Sequence, residues 1–167
     1  MQNARGKPIL ILLAEDDPDD RLMTREALDE SRLVNDLFTV EDGELLMDYL
    51  HHRGKYANMS GWLLPGLILL DLNMPKKDGR DVLKEIKEDP NLRRIPVVVL
   101  TTSKAEEDIC RTYDLGVNSF ITKPVSFESL VSIMNTLKIY WFEIVELPVE
   151  QGEIQNERQP HQSAIGR

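Results

Sequence analysis

Ile9-Leu10-Ile11-Leu12-Leu13-Ala14-Glu15-Asp16-Asp17 is an unbroken apolar run that stops abruptly at three acids. Such a run fits a strand buried on both faces, as in a parallel sheet covered by helices. Four shorter runs repeat it: Leu37 to Val40, Leu67 to Leu70, Val97 to Leu100 and Ser119 to Ile121. Between the runs, apolar residues recur at intervals of three and four. Leu45, Leu46, Tyr49 and Leu50 make one helical stripe, Val82, Leu83 and Ile86 a second, and Ile109, Cys110 and Tyr113 a third. Cys110 is thereby expected to be a buried hydrophobe.

The punctuation agrees with this division. Pro18 suits a first helical turn, with Asp19 and Asp20 favoured at the positive end of the helix dipole. Pro90 closes the third helix, Gly116 fits the position just past the fourth, and Ser126 can cap the fifth. The stretch from His51 to Gly66 is the one long loop, a local elaboration. Strand and helix alternating five times predict an α/β protein, a doubly wound five-stranded parallel sheet with helices on both faces. Right-handed crossovers favour strand order 2-1-3-4-5, whose switch point lies between strands 1 and 3. Functional residues are then expected just beyond Leu13 and just beyond Leu70.

Composition limits the possible functions. A chain of 167 residues with 41% apolar residues fits one domain with a real core. We place an N-terminal extension at residues 1–7, the domain at 8–147, and a disordered tail at 148–167, where apolar residues almost vanish. The net charge of −9 and pI near 4.9, with no basic stripe, argue against nucleic acid. No run reaches the ~20 apolar residues needed to span a bilayer, residues 1–7 are too polar for a signal peptide, and one cysteine allows no internal disulfide. A cytoplasmic setting is expected.

The chemistry collects at the strand ends. Glu15, Asp16 and Asp17 follow the first strand, Asp71 the third, Thr101 ends the fourth, and Lys123-Pro124 follows the fifth. In a parallel sheet all of these share one edge. Carboxylates crowded there repel one another unless a cation joins them, and Mg²⁺ takes one or two carboxylates plus waters and phosphate oxygens. Asp71 then reads as a nucleophile that forms an acyl phosphate, with Thr101 and Lys123 donating to the phosphoryl oxygens. Asn73, two residues on, is placed to offer its backbone carbonyl to the metal. Taken singly, these residues have ordinary structural explanations: helix-dipole acids, a turn Asp, a strand Thr and a loop Lys. His51, His52 and His161 are read as solvated.

In the stretches Ile-Leu-Leu-Ala-Glu15-Asp16-Asp17, Leu-Leu-Asp71-Leu-Asn-Met-Pro, Val-Val-Leu-Thr101 and Ile-Thr-Lys123-Pro, the sequence resembles bacterial response-regulator receiver domains from about Pro8 to Tyr140. That resemblance implies the flavodoxin-like, CheY-like fold and a phosphoryl group passed from a histidine kinase to Asp71 with Mg²⁺. It implies Asp16 as the direct acidic metal ligand and Glu15 as the second acid, acting through water. Thr101 matches the family's switch hydroxyl, Lys123 its phosphate-binding lysine, and Phe120 its rotating aromatic. Such a chain is not an enzyme in the usual sense, since it catalyses only its own phosphorylation and dephosphorylation. Glu15 stands where many receivers have Asp, a departure that bears on metal affinity. A narrower resemblance, through Asp17-Pro-Asp-Asp, the loop with Tyr-Ala-Asn-Met-Ser, Leu-Thr-Thr-Ser and an aromatic last helix, is to single-domain regulators paired with phytochromes. It implies a light-regulated kinase as donor.

Two other readings compete. An aspartate-nucleophile phosphatase of the haloacid dehalogenase type needs an acid at position 73, where this chain has Asn. A pseudo-receiver, acting only as a protein-binding module, would have no need of Asp16, Asp71, Thr101 and Lys123 together. The last helix adds an expectation about assembly. Phe127, Leu130, Met134, Leu137 and Trp141 form one apolar stripe, while Ile133, Tyr140, Ile144 and Val145 lie off it. An apolar second face points to a homodimer through helix 5 and its neighbours, and the resemblance to receivers that dimerise through the helix 4–helix 5 face implies that surface.

Overall fold

The computed structural model describes residues 9–31, 36–144 and 146–148. Its elements alternate as β1 (Ile11–Ala14), α1 (Pro18–Glu30), β2 (Leu37–Val40), α2 (Gly43–Leu50), β3 (Leu67–Leu70), α3 (Gly79–Glu88), β4 (Val97–Thr101), α4 (Glu106–Asp114), β5 (Ser119–Thr122) and α5 (Phe127–Lys138). A 3₁₀ turn spans Gly54–Tyr56, and α5 continues into a π-helical segment, Ile139–Ile144. The five strands are parallel in the order β2-β1-β3-β4-β5, as the alternation predicts. In register, Leu13 lies beside Leu69 and Ala14 beside Leu70, so the chain leaves β1 and β3 at the same level. The N-terminal extension and all but Pro148 of the tail lie outside the described residues, as does His161.

Alternate strand residues serve opposite faces of the sheet. Leu12, Ala14, Ile68, Leu70, Val97 and Val99 meet α2 and α3 through Leu46, Leu50, Val82, Leu83 and Ile86. Ile11, Leu13, Leu67, Leu69, Val98 and Leu100 meet α1 and α5 through Ala27, Leu28, Leu130, Met134 and Leu137. Each large side chain so buried stabilises the fold by about 1.5–3 kcal/mol, which is why these strands read as continuous apolar runs.

The helix starts are fixed by side chains. Asp17, Asp42, Asp78 and Ser126 each accept a backbone N–H at the start of α1, α2, α3 and α5, and Pro18 occupies the first turn of α1. Gly116, at φ +97°, follows α4 in the left-handed region. By contrast, α4 begins at Ala105 with no side-chain cap.

The third helical stripe is corrected by the structure. Cys110 is exposed and Tyr113 is about half exposed, whereas Thr112 is buried. The inner face of α4 runs through Ile109 and Thr112, one helical interval apart. Thr112 tolerates this position because its hydroxyl donates to the Asp108 and Ile109 carbonyls of its own helix. Tyr113 instead reaches along the outside, where its hydroxyl accepts from the Phe120 amide of β5 at 3.3 Å.

The long loop is organised. Trp62 Nε1 donates to the Tyr49 carbonyl and the Tyr49 hydroxyl to the Leu63 carbonyl, both at 2.9 Å. Tyr49, Phe38, Tyr56 and Trp62 form a connected aromatic group, with His52 stacked on Trp62. His51 and His52 are both exposed, as expected.

Candidate functional site

The β1–α1 turn carries Glu15 and Asp16, and Asp17 is spent on capping α1 through Asp19 and Asp20 amides. Arg21, one turn into that helix, donates from Nη1 to the carbonyls of Glu15 (2.8 Å) and Asp16 (2.9 Å). This clamp holds the acidic turn over the sheet edge. β3 delivers Asp71 one residue past its end, buried at 6% exposure, and the tight approach of Gly79 keeps it there. A Cβ at Gly79 would lie 2.4 Å from the Asp71 carbonyl oxygen and 2.7 Å from Leu72 Cα.

Around Asp71 the predicted residues converge. Thr101 Oγ1 donates to Asp71 Oδ1 at 2.9 Å, and the Asn73 amide donates to the same oxygen at 3.3 Å. Lys123 Nζ donates to Asp71 Oδ2 at 3.3 Å, to Asp20 Oδ2 at 2.9 Å, and to Glu15 Oε2. Carboxylate oxygens of Glu15, Asp16 and Asp71 fall within 4.8 Å of one another. Phe120 stands apart from this group, partly buried against the core face shared with α2 and α3.

The electrostatics favour a cation. Burial pushes the Glu15 carboxyl up to about 7, with the Asp71 charge adding to the rise and the Lys123 hydrogen bond opposing it. Burial alone would lower Lys123, but hydrogen bonds to Glu15 and Asp20 and the nearby Asp71 charge hold its pKa above the usual lysine value. One ammonium therefore faces more carboxylates than it neutralises. The donor set is all oxygen, two of the acids are buried and one is exposed, which fits a hard divalent ion that keeps part of its water shell.

Sequence reading missed some of the site. Asp20 was read only as a dipole acid, yet it lies one helical turn beyond the acidic stretch and reaches Lys123. Arg80 and Asp108 carry no signal in the pattern, and Ser103 enters it only as the last residue of the Leu-Thr-Thr-Ser stretch. They form a hydrogen-bonded group beside Thr101, joined by Arg80–Asp108 contacts at 2.7 and 2.8 Å. Nothing in a helical stripe reveals such a pairing between residues 28 apart in the chain.

Comparison with known proteins places this geometry. The family model described as "Response regulator receiver domain" matches residues 11–135. The chain belongs to the response regulator receiver family. Among related receivers, Response regulator Rcp1 of Synechocystis is 43% identical over 148 residues, covering 89% of this chain and 99% of that protein. The crystal structure of its Mn²⁺-bound form superposes with a TM-score of 0.77 at 44% identity, covering 85% of this chain and all of that one. The phosphorylated cyanobacterial phytochrome response regulator RcpA superposes with a TM-score of 0.79 at 48% identity, covering 86% of this chain and 100% of that chain. No helix among the described residues of this receiver is long and apolar enough to cross a membrane.

Proposed function

We propose that this receiver accepts a phosphoryl group onto Asp71 from the phosphohistidine of a phytochrome-type histidine kinase, in a Mg²⁺-dependent reaction in the cytoplasm. The observation that carries this reading is the convergence of Thr101, Lys123, Glu15 and Asp16 on one buried carboxylate. A carboxylate oxygen of Asp71 attacks phosphorus, a P–O bond forms as the P–N bond to the kinase imidazole breaks, and the histidine leaves. Asp16 and Asp71 would hold Mg²⁺ directly, with the Asn73 carbonyl, and Glu15 through water. Bound there, Mg²⁺ would offset negative charge on the transferring phosphoryl oxygens. Lys123 and Thr101 donate to those same oxygens.

The phytochrome partner is supported by the similarity to RcpA, described as a phytochrome response regulator. Signalling then follows from Thr101 drawing toward the phosphoryl group and Phe120 turning inward. We further propose a homodimer through α4, α5 and the segment beyond. Tyr113, Ile139 and Tyr140 there are about half exposed. Phe127, Leu130, Met134, Leu137 and Trp141 face the core as expected, and Ile133 also packs partly against it. Val145, and the side chain of Ile144, lie outside the described residues.

Incubation with Mg²⁺ and acetyl phosphate, or with the kinase, is expected to add one acid-stable, base-labile phosphoryl group. An Asp71→Asn variant that is still labelled to the same extent would overturn the assignment.

A further inference from the structure

Arg80 sits in the first turn of α3 and Asp108 in the first turn of α4. The guanidinium forks onto that carboxylate, Nε to Oδ1 at 2.8 Å and Nη2 to Oδ2 at 2.7 Å. Its remaining nitrogen, Nη1, donates to Asp78, the residue that caps α3. Asp108 Oδ2 also accepts from Ser103 Oγ at 2.6 Å. The Ser103 amide lies 3.5 Å from Thr101 Oγ1, and Thr101 donates onward to Asp71. An unbroken polar chain thus runs from α3 to the acceptor carboxylate.

Two features make this chain more than a surface ion pair. The Arg80 and Asp108 side chains are only 17% and 19% exposed and meet in the bidentate geometry that gives guanidinium–carboxylate pairs their strength. Further, α4 has no side-chain cap, and Asp108 in its first turn ties that helix start to Arg80 and Ser103. The Arg80 and Ser103 hydrogen bonds hold the Asp108 carboxyl down at about 2, so it stays charged in its partners' grip across the physiological range.

We propose that Arg80 is a positioning residue for phosphorylation of Asp71, acting through Asp108 and Ser103 to hold the Thr101 hydroxyl on the acceptor carboxylate. A threonine hydroxyl has three staggered positions, and only one aims at Asp71. The Ser103 amide, fixed by the Asp108 contact, faces a lone pair of Thr101 Oγ1 in that rotamer and leaves its proton for Asp71. A donor is thereby held on the acceptor carboxylate, within a short shift of where negative charge will collect on the phosphoryl oxygens. Arginine is required because a lysine ammonium cannot span both carboxylate oxygens and Asp78 in one plane.

The inference rests on the receiver reading, and a single set of full-length variants separates the two. Initial rates of phosphorylation by acetyl phosphate with Mg²⁺ would be followed by intact mass. Arg80→Gln is expected to slow transfer about five-fold, the rate equivalent of one orienting hydrogen bond, with Arg80→Lys intermediate. Ser103→Ala, a smaller lesion in the same chain, should slow it by a similar factor and should not add to Arg80→Gln. In a Thr101→Ala background Arg80→Gln should have no further effect, and the Mg²⁺ midpoint from thermal shift should match the parent in each case. A wild-type rate in either Arg80→Gln or Ser103→Ala, or an undiminished Arg80 effect without the Thr101 hydroxyl, would overturn the proposal. A parent chain that takes no phosphoryl group at all would instead strike down the receiver reading beneath it.

Discussion

Thr101 Oγ1 and Asp71 Oδ1 lie 2.9 Å apart, joined by a buried hydrogen bond that links the ends of β4 and β3. Thr101 therefore supports the Asp71 carboxylate directly. Thr101→Val keeps the shape of the side chain and removes the donor. It should destabilise the protein by about 1–2 kcal/mol, since a buried carboxylate oxygen loses a partner. Urea denaturation measures this, and an unchanged midpoint would mean the carboxylate finds another donor.

Glu15 gives the pH dependence. Its carboxyl titrates near 7 in the metal-free fold and near 4.5 in an open chain, so the folded-state value is raised. A raised acid costs no stability below pH 4.5, and its penalty grows as pH climbs to about 7. Metal-free protein should therefore lose melting temperature across that window. Glu15→Gln should flatten the loss, and saturating Mg²⁺ should reduce it. Parallel profiles for wild type and Glu15→Gln in EDTA would contradict the assignment.

Gly79 is required by contact, not by backbone angle. A Cβ there would meet the Asp71 carbonyl and the Leu72 Cα, both backbone atoms that cannot swing aside. Gly79→Ala should cost about 1–3 kcal/mol through overpacking and should slow phosphorylation by displacing Asp71. Thermal melts paired with phosphorylation rates test both halves.

Lys76 is the opposite case. It holds φ at +64° in the β3–α3 loop, a conformation that costs a non-glycine residue about 1–2 kcal/mol. Its ion pair to Asp42, at 3.5 Å, has a 60% exposed lysine end and so contributes little. Lys76→Gly relieves the strain but gives back part of the gain as unfolded-chain entropy. A net stabilisation below about 1 kcal/mol is expected from the denaturation midpoint.

What could be read from sequence was whatever repeats with a fixed period or must stand at a strand end. The runs at Ile11–Ala14 and Leu67–Leu70 are apolar throughout because both sheet faces are covered, so their ends, and with them Glu15 and Asp71, could be located. The α4 stripe misled because that helix buries Thr112, a polar residue satisfied by its own backbone, and turns Cys110 outward. The grouping of Arg80, Ser103 and Asp108 was invisible for a different reason. Their pairing depends on how two helix starts and a loop meet in space, and charged residues in a first helical turn look alike whether solvated or paired.

The contact between Tyr113 and Phe120 has a bearing on how copies of the chain can meet. β5 is an outer strand of the sheet, and outer strands invite a neighbouring chain to add a strand of its own. The Phe120 amide, which such an intruder would need, is already occupied by the Tyr113 hydroxyl. A tyrosine on α4 thus blunts this border against ribbon-like aggregation.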